Sequence, residues 1–370
     1  MEAKQNPISK FCINYLEKIG NESNFFFSPS SIYLALSMVA AGSGGQTLKE
    51  FQNVLSFKNI GEICYHINSL SSQFEHSSQE FSILNANKIY ASVSNLTQMY
   101  KEFISLYFKS GFQQVSFKDP EALRAYINEQ VSDQTKGNVK ELLQSGFLNQ
   151  NTNMILVNAL YLKAQWLYQF DAQYTQNMKF YLDPSNLEIT VLTKMMMKTE
   201  IYNYIKFNGF QYIQIPYKNK EFVMEVFLPD LSLKQLEQSL TLEIMQEALK
   251  KSQKTKIKLR FPKFKINGKS ENIVNVLQQI GLSQAFLPIA DFKSISECEE
   301  LYIKDLFHSA TIQVDEIGTE AAASTAIIIS QLSKVKEPPQ VICDRPFLFT
   351  ITHIPSKTII FLGKLVNPQK

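Results

Sequence analysis

Apolar residues recur at helical spacing in the first third of the chain and fuse into short, dense runs further on. Ile8, Phe11, Cys12, Tyr15, Leu16 and Ile19 share one face of a helix, so the pattern predicts an amphipathic helix near the N-terminus. Ser28-Pro29 is a helix start, with serine as N-cap and proline in the first turn. The run through Ile32, Leu34, Ala35, Leu36, Met38 and Val39 is apolar nearly all round, which predicts a buried helix. Gly42-Ser43-Gly44-Gly45 should stop it. Thr47 is expected to cap the next helix, which carries Leu48, Phe51, Val54 and Leu55 on one face. Further helices are expected around Ile63, Ile67 and Leu70, and from Asp119-Pro120 through Leu123, Tyr126 and Ile127.

Strand patterns take over later. Met154 to Leu162 is apolar except for Asn158, as in a central strand covered on both faces. Tyr212 to Tyr217 and Phe222 to Leu228 flank Lys218-Asn219-Lys220 and read as a hairpin. Lys256 to Phe261 alternates basic and apolar residues, a strand with one wet face. Phe347 to Thr352 and Ile359 to Leu365 form a last pair joined through Pro355-Ser356. Helices early and strands late, with no internal repeat and no clean linker, argue an α+β fold.

Composition narrows the function classes. The chain has 370 residues, 45% of them hydrophobic and 19% charged, with a formal net charge of +3. That is a globular composition, and the charge is too small to imply nucleic acid as the partner. Cys12, Cys64, Cys298 and Cys343 have neither zinc spacing nor the density of a disulfide framework, so they read as free thiols of a reducing compartment. The N-terminus lacks a basic start followed by an apolar block, and no apolar run reaches membrane-spanning length. We therefore expect a cytoplasmic protein, with secretion by a non-classical route as the alternative, and no membrane partner. His66, His76, His308 and His353 show no metal-ligand spacing. No nucleophile-elbow, metalloprotease or nucleotide-binding motif occurs, so neither an enzyme nor a cofactor is expected.

Residues 316–333 are the most unusual stretch. After Glu320 no charge appears until Lys334. Small residues come first (Ala321, Ala322, Ala323, Ser324, Thr325, Ala326), then the β-branched Ile327, Ile328 and Ile329. Helix propensity favours the alanines, and the pleated surface of a sheet suits the isoleucines. The segment has no single strong local preference, as befits a piece of chain that changes state.

This segment resembles the hinge of the reactive-centre loop in inhibitory serpins, a family of serine protease inhibitors. Glu316, Gly318, Thr319, Glu320, Ala321, Ala322, Ala323 and Thr325 match the family pattern. The resemblance runs from about Ile8 to Pro368. Asn24-Phe-Phe-Phe-Ser-Pro-Ser-Ser31, Asn158-Ala-Leu-Tyr-Leu-Lys-Ala-Gln-Trp166, Met195-Met196-Met197, Ile215-Pro216-Tyr217, Phe261-Pro262-Lys263-Phe264-Lys265-Ile266, Asp344-Arg345-Pro346-Phe347 and Phe361-Leu-Gly-Lys-Leu-Val-Asn-Pro368 follow in family order. Ile317 stands where a charged residue is common, and Leu162 where an aromatic is usual.

The resemblance implies a single serpin-like domain over residues 1–370. It would have a large central, mainly antiparallel sheet, smaller sheets and an exposed reactive-centre loop at about 316–339. Ser28, Ser31, Asn158 and His308 would form the polar shutter where the strands of that sheet part. Trp166 and Lys263 would mark the breach at its top, with Glu316 pairing Lys263. Counting from Glu316, the seventeenth residue is Leu332, which sets the reactive bond at Leu332–Ser333. Leucine there suits a chymotrypsin-like pocket (chymotrypsin, elastase or cathepsin G type). Lys334 or Lys336 would imply a trypsin-like target and a longer inserted segment.

The implied action is that of a suicide substrate held as a covalent complex with the protease, the inhibitor itself being a monomer. The alternatives are inhibition of a cysteine protease, or a non-inhibitory serpin-like binding protein. Between Glu247 and Glu271 lie Lys250, Lys251, Lys254, Lys256, Lys258, Arg260, Lys263, Lys265 and Lys269, with no acid among them. We favour a solvated face over a polyanion site there.

Overall fold

The computed structural model describes residues 6–19, 23–74, 78, 80–108, 111–268, 270–298, 300–319 and 337–370. The hinge residues Glu320, Ala321, Ala322, Ala323, Ser324 and Thr325 and the bond Leu332–Ser333 lie outside them.

The helix starts follow the sequence rules. Asn6 caps Pro7–Leu16, Ser28 caps Pro29–Ala40 and Asp119 caps Pro120–Gln134, each with proline in the first turn. Pro29–Ala40 is buried along its whole length, as its all-round apolar pattern requires. Thr47 does not cap the following helix. Gly45–Leu55 begins at Gly44 with no side-chain cap, and Thr47 Oγ1 instead accepts the Asp291 N–H at 3.0 Å. The glycine stop leaves Thr47 inside the first turn, where a distant loop can claim its hydroxyl.

The strands form two sheets. A seven-stranded sheet runs in the order Phe264–Ile266, Asp305–Val314, Gly318–Thr319, Met154–Gln165, Phe81–Ala91, Phe112–Gln114, with Glu271–Asn272 also on Asp305–Val314. It is mainly antiparallel, but Asp305 to Thr311 pair in parallel with Ile155 to Tyr161. The nine other strands among the described residues join into a second sheet. Thr190–Phe207, an 18-residue strand, pairs with Gln176–Tyr181, Phe210–Pro216 and Gln253–Pro262. The order of helices and strands is also less segregated than the sequence pattern suggests. Phe81–Ala91 is a long early strand, and Leu233–Ser239, Leu242–Lys251 and Val274–Gln279 are late helices.

The main core lies between the sheets and under Pro29–Ala40, rich in stacked rings such as Phe26 on Phe361 at 4.9 Å. A second core covers the outer face of the seven-stranded sheet. There Ile127 and Val131 of Pro120–Gln134 sit with Ile155, Val157 and Phe307. Both strands of the parallel seam are therefore buried on two faces, which explains their near-continuous apolar sequence.

Candidate functional site

The parallel pairing of Asp305–Val314 with Met154–Gln165 defines a seam, and polar residues sit at its centre and its head. At the centre, His308 and Asn158 are register partners, as are Asn158 and Asn87 on the next strand. His308 Nδ1 donates to Asn158 Oδ1 at 2.5 Å, and His308 Nε2 accepts the Ser28 N–H at 3.1 Å. Those two partners define a neutral ring protonated at Nδ1. Complete burial disfavours the cation and pushes the imidazole down to about 3.

Asn158 Nδ2 turns the other way and shares its two hydrogens among the Ser31 carbonyl at 2.9 Å, Ser31 Oγ at 2.6 Å and Asn87 Oδ1 at 2.5 Å. Ser31 Oγ in turn donates to Asn87 Oδ1 at 2.9 Å. Ser28 Oγ donates to the Ile360 carbonyl at 2.7 Å, which ties the helix start to the nine-stranded sheet. The structure thus brings Ser28, Ser31, Asn158 and His308 into one network and adds Asn87. Asn87 carried no signal beyond being a polar residue inside a strand. Its pairing with Asn158 depends on a register that one sequence does not reveal. Among the described residues its Nδ2 has no acceptor, so the network stops one bond short of complete.

At the head of the seam, a tight turn brings the chain back from Val314. Asp315 Oδ1 accepts the N–H groups of Ile317 at 3.0 Å and Gly318 at 3.3 Å. Burial raises the pKa of Asp315, and these two bonds offset only part of that rise. The returning residues pair antiparallel to both sides of the seam, Gly318 opposite Gln165, and Thr319 opposite Ala164 and Val314. A Cβ on Gly318 would lie 1.9 Å from the Ala164 carbonyl oxygen, so only glycine lets the backbones meet there. Thr319 is fully buried.

Side chains around the head hold that turn. Trp166 is buried, donates from Nε1 to the Asp315 carbonyl at 2.9 Å, and stacks on Tyr217 at 4.7 Å. The Tyr217 hydroxyl meets Thr319 Oγ1 at 3.1 Å. The backbone N–H groups of Trp166 and Phe170 donate to the Ile317 and Glu316 carbonyls at 2.9 and 2.8 Å. Lys263 Nζ lies 2.5 Å from Glu316 Oε2, and Thr175 Oγ1 donates to Glu316 Oε1 at 2.8 Å. Burial acts to raise the pKa of Glu316, but these partners outweigh it and hold the carboxyl below its ordinary value. Trp166, Lys263 and Glu316 come together around this turn. Tyr217, Thr175 and Asp315 are additional: Thr175 and Tyr217 lie far from the turn along the chain, and Asp315, next to Glu316, gave no sign that its carboxyl closes the turn.

Below Thr319 the seam is closed by direct pairing of Asp305–Thr311 with Ile155–Tyr161. No group of histidine, cysteine or acidic side chains among the described residues could hold a metal ion.

Comparison with known proteins agrees with this geometry. The family model described as serpin (serine protease inhibitor) matches residues 6–368. The chain is 30% identical to a leukocyte elastase inhibitor of Xenopus laevis, with all of both chains covered. It is 32% identical to a leukocyte elastase inhibitor of Bos taurus, covering 93% of each. Uncleaved ovalbumin superposes with a TM-score of 0.87 over 98% of this chain and 99% of that one, at 24% identity, a likeness of fold alone. Human thyroxine-binding globulin gives a TM-score of 0.88 at 27% identity, covering 98% and 97% of the two chains. Serpin48 of Tenebrio molitor gives 0.87 at 25% identity over 99% of both. With the family model spanning nearly every residue and full-length relatives at 30% identity or more, the chain belongs to the serpin family of serine protease inhibitors.

Proposed function

We propose that this protein, acting as one domain over residues 1–370, is a suicide-substrate inhibitor of chymotrypsin-like serine proteases. The observation that carries the reading is the antiparallel docking of Gly318 and Thr319 between Met154–Gln165 and Asp305–Val314. Loop insertion is established for serpins as a family and is taken from them here.

The protease serine oxygen attacks the Leu332 carbonyl carbon. An ester forms, the peptide bond to Ser333 breaks, and the Ser333 amine leaves with the proton. The segment behind Thr319 then enters the seam as a strand. Thr319, Ala321, Ala323, Thr325, Ile327 and Ile329 face inward by the period of two, while Glu320 faces water. The small, uncharged residues that lead this row present no bulk or charge to the interior. Twelve to fifteen strand residues at about 3.3 Å each move the acyl-enzyme roughly 40–50 Å. The displaced protease is distorted and deacylation stops. The inhibitor is consumed and turns over no substrate.

The same small, inward-facing residues count against a purely non-inhibitory binding role. A reducing, cytoplasmic setting goes with the reading, supported by four unpaired cysteines.

The test is incubation with chymotrypsin, elastase, trypsin and a papain-like protease, followed by denaturing gels and mass analysis. A covalent band with the chymotrypsin-like enzymes and a released peptide beginning at Ser333 are expected. Plain cleavage by every protease, with no covalent band, would overturn the reading.

A further inference from the structure

Lys254, Lys256 and Lys258 lie along one face of the strand Gln253–Pro262. The alternate residues Ile257, Leu259 and Phe261 are fully buried, so the lysines stand on the solvent side of the sheet. Alternate residues on one strand face are about 6.6–6.8 Å apart, which makes a regular row of cations. Beside them on the neighbouring strand, Thr199 is the register partner of Lys258 and Ile201 that of Lys256. Ile201 is 51% exposed.

No acid lies on the strand Gln253–Pro262 itself, and the exposed Glu337 stands two residues before Pro339 on the edge segment beside it. Glu200 pairs with Ile257 and so belongs to the opposite face. Glu247 is 2.6 Å from Lys251 on the preceding helix, which takes that lysine out of the row. Arg260, further along, is turned onto the Met178 sulfur at 3.5 Å.

The position of the row gives it a role. On the edge of the same strand, Gln340–Ile342 pair in parallel with Lys258 to Arg260, and the Lys258 N–H donates to the Pro339 carbonyl at 3.0 Å. This is where the chain returns from the reactive-centre loop into the sheet. Pro339 is the seventh residue after Leu332. Seven extended residues span at most about 25 Å, less than the width of a protease domain. A protease engaged at Leu332 is therefore held within reach of the row.

We propose that Lys254, Lys256 and Lys258, with Ile201 among them, form a second contact surface for the attacking protease. It selects those with an acidic rim around the cleft. An exposed isoleucine set between lysines favours a protein partner over a sulfated glycan or nucleic acid, which would gain nothing from an aliphatic side chain. Steering by such a surface raises association rates by about ten- to a thousandfold at low ionic strength.

This inference rests on the inhibitory reading only for the site of attack, and the test separates the two. Lys254→Gln/Lys256→Gln/Lys258→Gln and wild type are incubated with two chymotrypsin-like proteases, one acidic and one basic at the cleft rim. The rate of loop cleavage is counted whether it ends in complex or in free product. For the acidic protease the variant should be cleaved about tenfold more slowly at low salt, with the difference vanishing toward about 1 M salt. The basic protease should show no such loss. Equal rates for wild type and variant with the acidic protease would overturn the proposal. So would unchanged rates accompanied by lost retention on heparin or single-stranded DNA, which would give the row to a polyanion. The fraction of cleaved chain captured in the covalent band reports separately on the inhibitory reading.

Discussion

The hydroxyls of Tyr217 and Thr319 meet at 3.1 Å at the head of the seam, in a site from which water is excluded. Thr319 is the first residue behind the turn whose side chain must enter the interior. Thr319→Arg forces a long cationic side chain against Tyr217 and Ala164 in a fully buried site, where burying it is strongly unfavourable. The variant should still be cut at Leu332–Ser333 but trap about tenfold less protease. Measuring the ratio of covalent complex to cleaved inhibitor checks this. A normal yield of complex from Thr319→Arg would sink the insertion account.

Gly318 governs whether the hinge docks at all. A methyl group there meets the Ala164 carbonyl oxygen at 1.9 Å and the Gln165 Cα at 2.7 Å, both backbone atoms that have no room to yield. Gly318→Ala should lift residues 317–319 off the seam. Trp166 is the chain's one tryptophan, and its ring and backbone both bond to the turn. Its emission should shift to the red in Gly318→Ala. An emission spectrum identical to wild type would show that the hinge tolerates the methyl group.

Glu316 anchors the turn from outside through Lys263 and Thr175. Glu316→Lys replaces that attraction with repulsion. Lys263 is 31% exposed, so solvent screens part of the effect, and a loss of about 1–2 kcal/mol is expected. Chemical denaturation checks the loss, and Lys263→Glu on top of Glu316→Lys should recover part of it. No recovery in the double variant would mean that the pair does not act as drawn.

His308 makes the seam sensitive to acid. Its folded-state pKa is about 3, against 6.5 for the unfolded chain, so unfolding takes up a proton at any pH between the two. Stability contributed by the neutral ring is complete above pH 6.5 and falls by about 1.4 kcal/mol per pH unit below it, until the folded form protonates. A second proton at Nε2 also removes the acceptor for the Ser28 N–H. Denaturant titrations between pH 7 and pH 4 should show this slope in wild type and its loss in His308→Gln. Parallel curves for the two would contradict the assignment of a neutral, buried ring.

How much of this the sequence carries differs between features. Ser28-Pro29 and Asp119-Pro120 announce their helices because capping is local chemistry, and both caps form. Trp166, Lys263 and Glu316 were singled out through family motifs, and the structure places all three at one turn. The contacts of Asn87, Thr175 and Tyr217 were not legible, because each joins residues 71 to 141 positions apart. The parallel seam was equally hidden. An apolar run such as Met154 to Leu162 says that both faces are covered, but not which strand lies alongside or in which direction. Thr47 failed for a related reason. Its composition suits a cap, yet the glycines before it set the helix start three residues earlier, and Asp291 took the hydroxyl.

The central claim is that the uncleaved protein holds a strand outside a sheet that would be more stable with it inside. Thermal unfolding of intact and loop-cleaved protein tests this most directly. About a dozen residues gaining strand hydrogen bonds at roughly 1 kcal/mol each, at about 2 °C per kcal/mol, predict a rise in Tm of about 20 °C after cleavage at Leu332–Ser333. An unchanged or lower Tm after a single clean cut there would contradict it.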